Sequence, residues 1–420
     1  MPGTVPYPNT APTRGAAVIL AVLTAAVTAC TPKAPTGTNG SAAQRTRITG
    51  AGSTFDALFF DQAFPAYQQS HPGVTVSYAA TGSDRGVRRF TTGEVDFAAT
   101  DVPASQSDLA AARGGPTIQV PVDLGAVSVA YNVLTLNNAP VKLTGPVLAR
   151  IFLGQITRWS DPAIADLNPG ADLPDAYITV VHRSDGSATT YMFSEYLSSV
   201  SPAWASAVGT GRSLRWPAGY AAGDNLGVVT AINRIPYSIG YVDRPSAPGI
   251  APGSAAIANR DGRFVTPTAG AITADAAAKP VVTPQDFSII NEPGPAAYPI
   301  SGYSWVLISE HQPSERARRA LVGLFSWLTK PGQSYAAALG YAPLPAFVQH
   351  DVATALARVT GPWRDVELAD QDADETAESP DAARLDPCAF PRRHRPPQDR
   401  RRNVTELAPP RQVPRGRPLA

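Results

Sequence analysis

The sequence predicts an α/β fold, in which helices pack on sheets. Short β-branched segments alternate with amphipathic segments of helical period along residues 46–362, and this alternation is typical of α/β proteins. The chain has 420 residues, 44% of them hydrophobic, which is enough for one large or two medium domains. No internal repeat of about 20–50 residues is visible, so the sequence does not predict a solenoid or a propeller.

The predicted elements follow one another along the chain. Strands are predicted where β-branched and aromatic residues run together, at 46–49, 74–78, 95–100, 118–132, 178–181, 238–242 and 305–308. Helices are predicted where apolar residues recur at helical spacing, at 56–69, 84–92, 144–152, 188–199 and 316–329. Residues 245–273, which are rich in Gly, Pro and Ala, predict a less regular section.

The N-terminal residues predict an export signal rather than part of the fold. Arg14 precedes an uncharged apolar run at 16–29, which is too short to span about 30 Å of hydrocarbon comfortably. The run leads into VTAC, which resembles the bacterial lipobox, and this resemblance implies that Cys30 is lipidated. An ordinary secretory signal that contains a cysteine is the alternative. We therefore expect a lipoprotein signal peptide at 1–30 and a flexible, Pro/Gly/Ser/Thr-rich tether at 31–45.

The composition argues against several classes of protein. The net charge of +1 is unlike the basic surplus of a general nucleic-acid binder. Two cysteines, Cys30 and Cys388, exclude a disulfide framework and a Cys-rich metal or iron–sulfur site, and the five histidines are scattered. No metal and no cofactor are therefore predicted. Residues 363–420 combine blocks of charge with many prolines, and this pattern predicts a disordered tail.

Three turns rich in Gly and Ser, each between a predicted strand and a predicted helix, are candidates for a binding site. They are GAGSTF at 50–55, TGSDRG at 81–86 and RSDGSATT at 183–190. Each turn alone is explained by helix capping, because Ser and Thr are good N-caps and Gly allows a tight turn. Three converging helix N-termini would surround an oxyanion with N–H groups and hydroxyls. Arg183 would add a forked, charged donor.

From Ile48 to about Arg364 the chain resembles the extracytoplasmic phosphate-binding protein of bacterial Pst-type phosphate ABC transporters. The matching stretches are collinear: ITGAGSTF, GSDRGVRRF, VDFAATDVP, IFLGQITRWSDPAIADLNPGADLP, VVHRSDGSATT, VGTG, WPAG, SIGYVD and YPISGYSWVLI. The resemblance implies a two-domain periplasmic-binding-protein-like fold of type II, with the ligand in the interdomain cleft. It also implies a domain I at 46–121 plus 299–362 and a domain II at 122–298.

The resemblance further implies which residues bind phosphate. Matched to the family's motifs, the contacts are Thr54, Phe55, Ser83, Asp101, Arg183, Ser187, Ala188 and Thr189, with Asp185 holding Arg183 in place. The role implied for Asp101 has a chemical reason, because a carboxylate beside an anion is favourable only when the ligand carries a proton to donate. Phosphate carries one and sulfate near neutral pH does not. A site built around such a bond can reject the analogue without it by about 10⁴–10⁵.

Four positions depart from the family's pattern. Ala188 stands where Gly is usual, Asp56 where Pro is usual after Thr-Phe, and Asp84 and Arg85 where small residues follow Gly-Ser. Ala188 is harmless if it only donates its backbone N–H at negative φ. The acids at 56 and 84 would weaken the binding of a nearby anion, although Arg85 could offset this effect.

The predicted function is that of a non-enzymatic binding protein. It would capture inorganic phosphate outside the cytoplasmic membrane, to which lipid at Cys30 anchors it, and would deliver the ligand to the permease subunits of an ABC transporter by domain closure. The alternatives are a binding protein for another oxyanion, such as sulfate, molybdate or a phosphonate, a sensory or adhesive lipoprotein, and a phosphate-ester hydrolase. The hydrolase is disfavoured because the sequence shows neither a G-x-S-x-G elbow nor clustered His/Asp metal spacing.

Overall fold

A computed structural model describes residues 45–110, 112–136, 140–250 and 253–362. The predicted signal peptide with Cys30, almost all of the predicted tether and the predicted tail lie outside these residues. Among the helices of the described ranges, none combines the length and the apolar character that a membrane crossing requires.

The described residues form twelve strands. They are β1 (Thr46–Gly52), β2 (Val74–Ala80), β3 (Phe97–Thr100), β4 (Thr117–Tyr131), β5 (Lys142–Leu143), β6 (Thr179–Arg183), β7 (Tyr220–Ala222), β8 (Ser238–Asp243), β9 (Gly253–Ser254), β10 (Ala256–Ala258), β11 (Phe264–Val265) and β12 (Ser301–Ser309). Every predicted strand is observed. The predicted strand at 305–308 is longer than expected, because the Gly and Ser residues before Trp305 also join the ladder with β4.

The same residues form twelve α-helices. They are α1 (Ala57–Ser70), α2 (Ser83–Thr91), α3 (Gln106–Leu109), α4 (Gly145–Phe152), α5 (Pro162–Ala165), α6 (Ala188–Val200), α7 (Pro202–Ala207), α8 (Asp224–Arg234), α9 (Ala269–Ala278), α10 (Glu315–Leu328), α11 (Gln333–Ala338) and α12 (Ala346–Leu356). The five predicted helices are observed with small shifts at their ends. The section at 245–273, predicted to be less regular, contains a 3₁₀ helix, three strands of two or three residues and the start of α9.

A nine-stranded mixed sheet forms the centre of the described chain. Its order is β2-β1-β3-β12-β4-β8-β6-β7, and β9 pairs with the end of β4. Strand β1 is parallel to β2 and β3, β12 is antiparallel to β3 and β4, and β8 is antiparallel to β4 and parallel to β6. A separate three-stranded sheet has the order β11-β10-β5.

Strand β4 joins two groups of strands, which define two lobes. The first lobe is built on β1, β2 and β3, and the second on β6, β7 and β8. Residues 117–126 of β4 pair with β12, and residues 127–131 pair with β8. The register of β4 and β12 shifts between Ser304 and Trp305, which lie opposite Asp123 and Pro121, so that Val122 is an extra residue in β4. This bulge lies at the junction of the lobes.

Each lobe has an aromatic core beside the junction. In the first lobe, the rings of Phe55 and Tyr341 meet edge to face with centroids 5.7 Å apart. In the second, Phe193 and Tyr241 stack at 4.4 Å, and Trp216 stacks on Tyr241 at 5.6 Å. Such ring pairs stabilise a fold by about 0.5–1.5 kcal/mol beyond the area they bury. They hold the segments that form the candidate site.

Candidate functional site

The first Gly-Ser turn follows β1 and is fixed by bonds from both sides. Gly52 has φ +147° and lies so close to β3 that a Cβ there would sit 2.0 Å from the Ala99 carbonyl oxygen. Within the turn, the Phe55 N–H donates to Ser53 Oγ at 2.9 Å. Tyr341 Oη donates to the Phe55 carbonyl oxygen. The N–H of Phe55, predicted to contact the ligand, therefore has an acceptor inside the protein, while Thr54 beside it is half-buried.

The second turn is bonded to the first through Gly52. The N–H groups of Thr81 and Gly82 both donate to the Gly52 carbonyl oxygen, at 2.9 and 2.8 Å. Gly82 has φ +88°, and α2 begins at the buried Ser83 directly after it. A Cβ at Gly86 would lie 2.2 Å from Gly52 Cα, so glycine at both positions allows the start of α2 to lie against the end of β1.

The third turn presents a buried, fully oriented guanidinium. Arg183 ends β6 and is 3% exposed. Its Nε donates to Asp185 Oδ1 at 2.7 Å, Nη2 to Asp185 Oδ2 at 2.6 Å, and Nη1 to Asn225 Oδ1 at 2.8 Å. These bonds use three of the five N–H donors of the group, and the two others belong to Nη1 and Nη2. Burial opposes the charge of Arg183, but its hydrogen bonds to the Asp185 carboxylate and the charge of that carboxylate outweigh burial, so the pKa of Arg183 is raised.

Helix α6 begins immediately after this turn. Ser187 is its N-cap, and Ser187 Oγ accepts from the Thr190 N–H at 3.3 Å. Tyr241 Oη contacts Thr190 Oγ1 at 2.7 Å and accepts from the Arg183 N–H at 3.1 Å, which ties the turn to the aromatic core. Ala188 and Thr189 are the first two helical residues, and the N–H groups of such positions have no acceptor within their helix.

The second and third turns, which belong to different lobes, are in contact. A Cβ at Gly82 would lie 2.9 Å from Asp185 Oδ2, and a Cβ at Gly186 would lie 1.9 Å from Asp84 Oδ2. The three Gly-Ser turns of the sequence therefore lie together where the lobes meet. The starts of α2 and α6 both lie at this point, which makes it favourable for an anion.

Asp101 is a buried carboxylate at the same junction. It follows β3, is 2% exposed, and accepts from Ser304 Oγ at 3.0 Å through Oδ1. Its Oδ2 is buried and has no hydrogen-bond partner among the described residues. Burial raises the pKa of Asp101 to about 6, although Ser53, Ser304, Arg183 and Arg212 act in the opposite direction. Asp101 and Arg183 are thus close enough to affect each other's protonation.

Two further acids lie behind Asp101. Asp56 and Asp123 are both fully buried and are not paired with a cation among the described residues, but their carboxyl groups lie within hydrogen-bond reach of each other. Burial, and then the charges of Asp123 and Asp101, raise the pKa of Asp56 well above its ordinary value. Burial raises the pKa of Asp123 to about 7. The low-dielectric surroundings therefore favour the protonated form, in which Asp56 presents no negative charge to a nearby anion.

The sequence interpretation missed several residues at this site. Asp123 carried a signal, because it is a lone acid inside an apolar strand. Ser304 and Asn225, which contact Asp101 and Arg183, carried none, because serine in a strand and asparagine in a first helical turn are common. Arg85, which the sequence suggested could offset the acids near the anion, is exposed, and the ion pair of Asp84 is with Arg212 at 3.6 Å.

Metal ligation has no support in the part of the chain that the structure describes. Among those residues, no group of three or more His, Cys, Asp or Glu side chains is arranged to hold a metal ion. The charges of the neighbouring Asp123 and Asp101 raise the pKa of Asp56, and Asp101 accepts from Ser304 Oγ.

Residues 37–331 match the family described as the PBP superfamily domain. The phosphate-binding protein PstS of Pasteurella multocida is 37% identical over 304 residues, which cover 72% of this chain and 87% of that protein. The phosphate-binding protein PstS of Methanocaldococcus jannaschii is 35% identical over 321 residues, covering 71% and 82%. The solved phosphate-binding protein of Stenotrophomonas maltophilia has the same fold, with a TM-score of 0.58, 21% identity and coverage of 74% and 93%. The chain therefore belongs to the PBP superfamily and, within it, to the family of the phosphate-binding protein PstS.

Proposed function

We propose that the protein binds inorganic phosphate between its two lobes and delivers it to the permease of an ABC transporter. The observation that carries this proposal is that Arg183 and Asp101 lie near each other in one buried site. The guanidinium supplies a permanent positive charge, and the carboxylate has a buried oxygen, Oδ2, without a partner among the described residues. An anion that still carries a proton satisfies both groups. The relatives named as phosphate-binding proteins support the same ligand.

In this proposal, every predicted site residue contributes to binding. Arg183 gives its two remaining N–H donors to phosphate oxygens, and Asp185 keeps the fork in position. Ser83, Ala188 and Thr189, at the starts of α2 and α6, give backbone N–H groups. Thr54, Ser83, Ser187 and Thr189 give hydroxyls, and Phe55 orients the first turn. Charge-assisted bonds of this kind contribute about 1.5–3 kcal/mol each.

The role of Asp101 is to accept a hydrogen bond from the O–H group of the ligand and thereby to select the ligand. An ionised Asp101 attracts a protonated phosphate oxygen and repels a fully deprotonated oxyanion. Sulfate near neutral pH has no proton to give, so it would leave Asp101 as an unpaired charge beside an anion. This chemistry favours phosphate over sulfate and molybdate as the ligand.

The remaining features of the proposal follow from binding and release without chemical change. The protein acts outside the cytoplasmic membrane, held there by lipid at Cys30, and uses neither metal nor cofactor. Lobe closure traps the ligand, and opening at the permease releases it. We place the domain boundaries at 46–121 plus 299–362 and at 122–298, near the part of β4 where its pairing changes from β12 to β8.

Calorimetric titration of the ligand-free full chain with phosphate and with sulfate tests the proposal. We expect micromolar or tighter binding of phosphate near pH 7 and no heat with sulfate. Equal binding of both anions would contradict the role of Asp101, and no binding of either would overturn the proposed ligand. A chromogenic phosphate ester, incubated with the same protein, should not be hydrolysed.

A further inference from the structure

Asp84 lies where a negative charge opposes the proposed function. It is the second residue of α2, and its Oδ2 lies so close to the third turn that a Cβ at Gly186 would be 1.9 Å away. An acid at a helix N-terminus stabilises that helix, but it also competes with an external anion for the same N–H groups. The site therefore needs a compensating cation close to Asp84.

Arg212 supplies this cation from the other lobe. It lies in the second lobe, between α7 and β7, and its side chain is 18% exposed. Arg212 Nη1 is 3.6 Å from Asp84 Oδ1 and 3.9 Å from Asp108 Oδ2. Both acids belong to the first lobe, and the three side chains share an open groove of about 710 Å³. One guanidinium thus balances two acids across the junction of the lobes.

The same guanidinium also bonds the backbone of the first lobe. Arg212 Nη2 donates to the Val102 carbonyl oxygen at 2.9 Å and to the Pro103 carbonyl oxygen at 3.1 Å. These residues directly follow Asp101. The planar guanidinium of arginine can donate to two adjacent carbonyl oxygens while it stays close to an acid. A lysine ammonium does not have this geometry.

The backbone of Arg212 contacts the other half of the site. Its carbonyl oxygen accepts from the Ser187 N–H at 2.9 Å, and Ser187 is the N-cap of α6. Arg212 therefore connects the segment after Asp101, the start of α2 and the start of α6. Its side-chain bonds cross between lobes, so they break whenever the lobes separate.

We propose that Arg212 is a positioning residue that fastens the closed lobes and neutralises Asp84 beside the bound anion. The effect of Arg212 on phosphate affinity rests on the proposed function. The contacts by which Arg212 holds the lobes together do not depend on the ligand. Arg212 touches Val102, Pro103 and Asp84 rather than phosphate, and it acts by lengthening the time that the lobes stay closed.

Phosphate binding kinetics in the full chain test both parts of the proposal. Arg212→Ala should weaken phosphate binding by roughly 10–100-fold, mainly through faster dissociation, because the bonds that it removes exist only in the closed form. Arg212→Lys should recover part of this loss by restoring the charge beside Asp84. Arg215→Ala, which removes an exposed arginine of the same loop, is the matched control and should bind like the wild type.

A double-mutant cycle tests the neutralisation of Asp84. Arg212→Ala should cost less affinity in an Asp84→Asn background than in the wild type, because the repulsive charge is then absent. An equal loss of phosphate affinity in both backgrounds would show that Arg212 does not act by neutralising Asp84. If Arg212→Ala has the phosphate affinity and the dissociation rate of the wild type, the whole proposal for Arg212 is wrong.

The distance between the lobes tests the fastening without phosphate. Spin labels at Gln69 and Ser206, which are exposed on α1 and α7, report this distance in a full chain with Cys30 and Cys388 replaced by Ser. In the ligand-free protein, Arg212→Ala should shift the distance distribution to longer values, and Arg215→Ala should not. If the wild type fails to bind phosphate, the proposed function is wrong, and the distance measurement alone then tests Arg212. A distance distribution that is the same in Arg212→Ala and in the wild type would reject the proposal that Arg212 holds the lobes closed.

Discussion

The two buried charged regions of the site differ in how completely their charges are paired. Arg183 is held by Asp185 and Asn225 through three hydrogen bonds. Asp56 and Asp123, in the first lobe and in the bulged part of β4, are also buried, but they lie against each other and neither is paired with a cation among the described residues. A buried charge is tolerated only when it is paired, and an unpaired acid takes up a proton instead.

This difference separates two uses of burial in one protein. Around Arg183, burial with complete pairing gives a cation that stays charged at every physiological pH and keeps two donors in a fixed direction. Around Asp123, burial without pairing gives acids whose protonation depends on pH. Asp101 lies between the two regions, with one oxygen bonded by Ser304 and the other without a partner among the described residues.

Removal of the paired cation should have the largest effect. We expect Arg183→Ala to weaken phosphate binding by at least about 100-fold, because it removes the charge and both remaining donors. It should also lower the free energy of unfolding by roughly 1–3 kcal/mol, since Asn225 loses its donor, while Asp185, with a 30% exposed side chain, regains water. Calorimetry and urea unfolding measure the two effects.

Arg183→Lys is the matched variant for that prediction. It keeps a positive charge but cannot form the two-point pair with Asp185. Binding intermediate between those of the wild type and Arg183→Ala would show that the fork matters beyond its charge. Phosphate affinity equal to that of the wild type in Arg183→Lys would show that only the positive charge of this side chain matters for binding.

Replacement of Asp101 should change selectivity more than affinity. Asp101→Asn replaces a carboxylate, which accepts a hydrogen bond from the ligand O–H group, with a neutral amide whose NH₂ group can donate to a ligand oxygen. We expect phosphate affinity to fall by roughly 10-fold and sulfate binding to become measurable, because the repulsion of a fully deprotonated anion is gone. Titration with both anions measures the ratio, and an unchanged preference for phosphate would contradict the proposed role.

The smallest effect on phosphate binding should come from the buried acids Asp56 and Asp123, whose contribution should appear in stability instead. The folded state holds the proton of Asp123 more tightly than the unfolded chain does, so the free energy of unfolding falls as pH rises from about 4 through about 7. Asp56, Asp101 and Asp243, whose pKa values are also raised by burial, contribute in the same direction. Asp123→Asn should remove roughly 2 kcal/mol of this fall between about pH 5 and pH 8.

Asp185→Asn is the control for that pH dependence. Burial acts to raise the pKa of Asp185, but the hydrogen bond with Arg183 outweighs burial and the pKa is lowered. The contribution of Asp185 to stability is therefore present at neutral pH and is lost only as the solution becomes strongly acidic. The variant should therefore keep the fall between about pH 5 and pH 8. Urea unfolding at several pH values compares the two variants, and equal slopes for Asp123→Asn and the wild type would reject the prediction.

Much of the fold could be predicted because its elements are long and regular. Strand β4 and helix α10 were predicted to within one residue at each end, since fifteen mostly apolar positions and a clear helical stripe leave few alternatives. Short strands such as β5 and β9 were not predicted, because two residues carry no periodicity and form strands only through their partners.

The sequence by itself determined the family, the order of the main elements and the three Gly-Ser turns, because these depend on local residue patterns and collinear motifs. Only the tertiary structure decided that Asp56 is buried beside Asp123 and that Asp84 is paired with Arg212. These contacts join residues 67 and 128 positions apart in the chain. The protonation of an acid depends on what surrounds it in space, and the residues near it in sequence do not specify those surroundings.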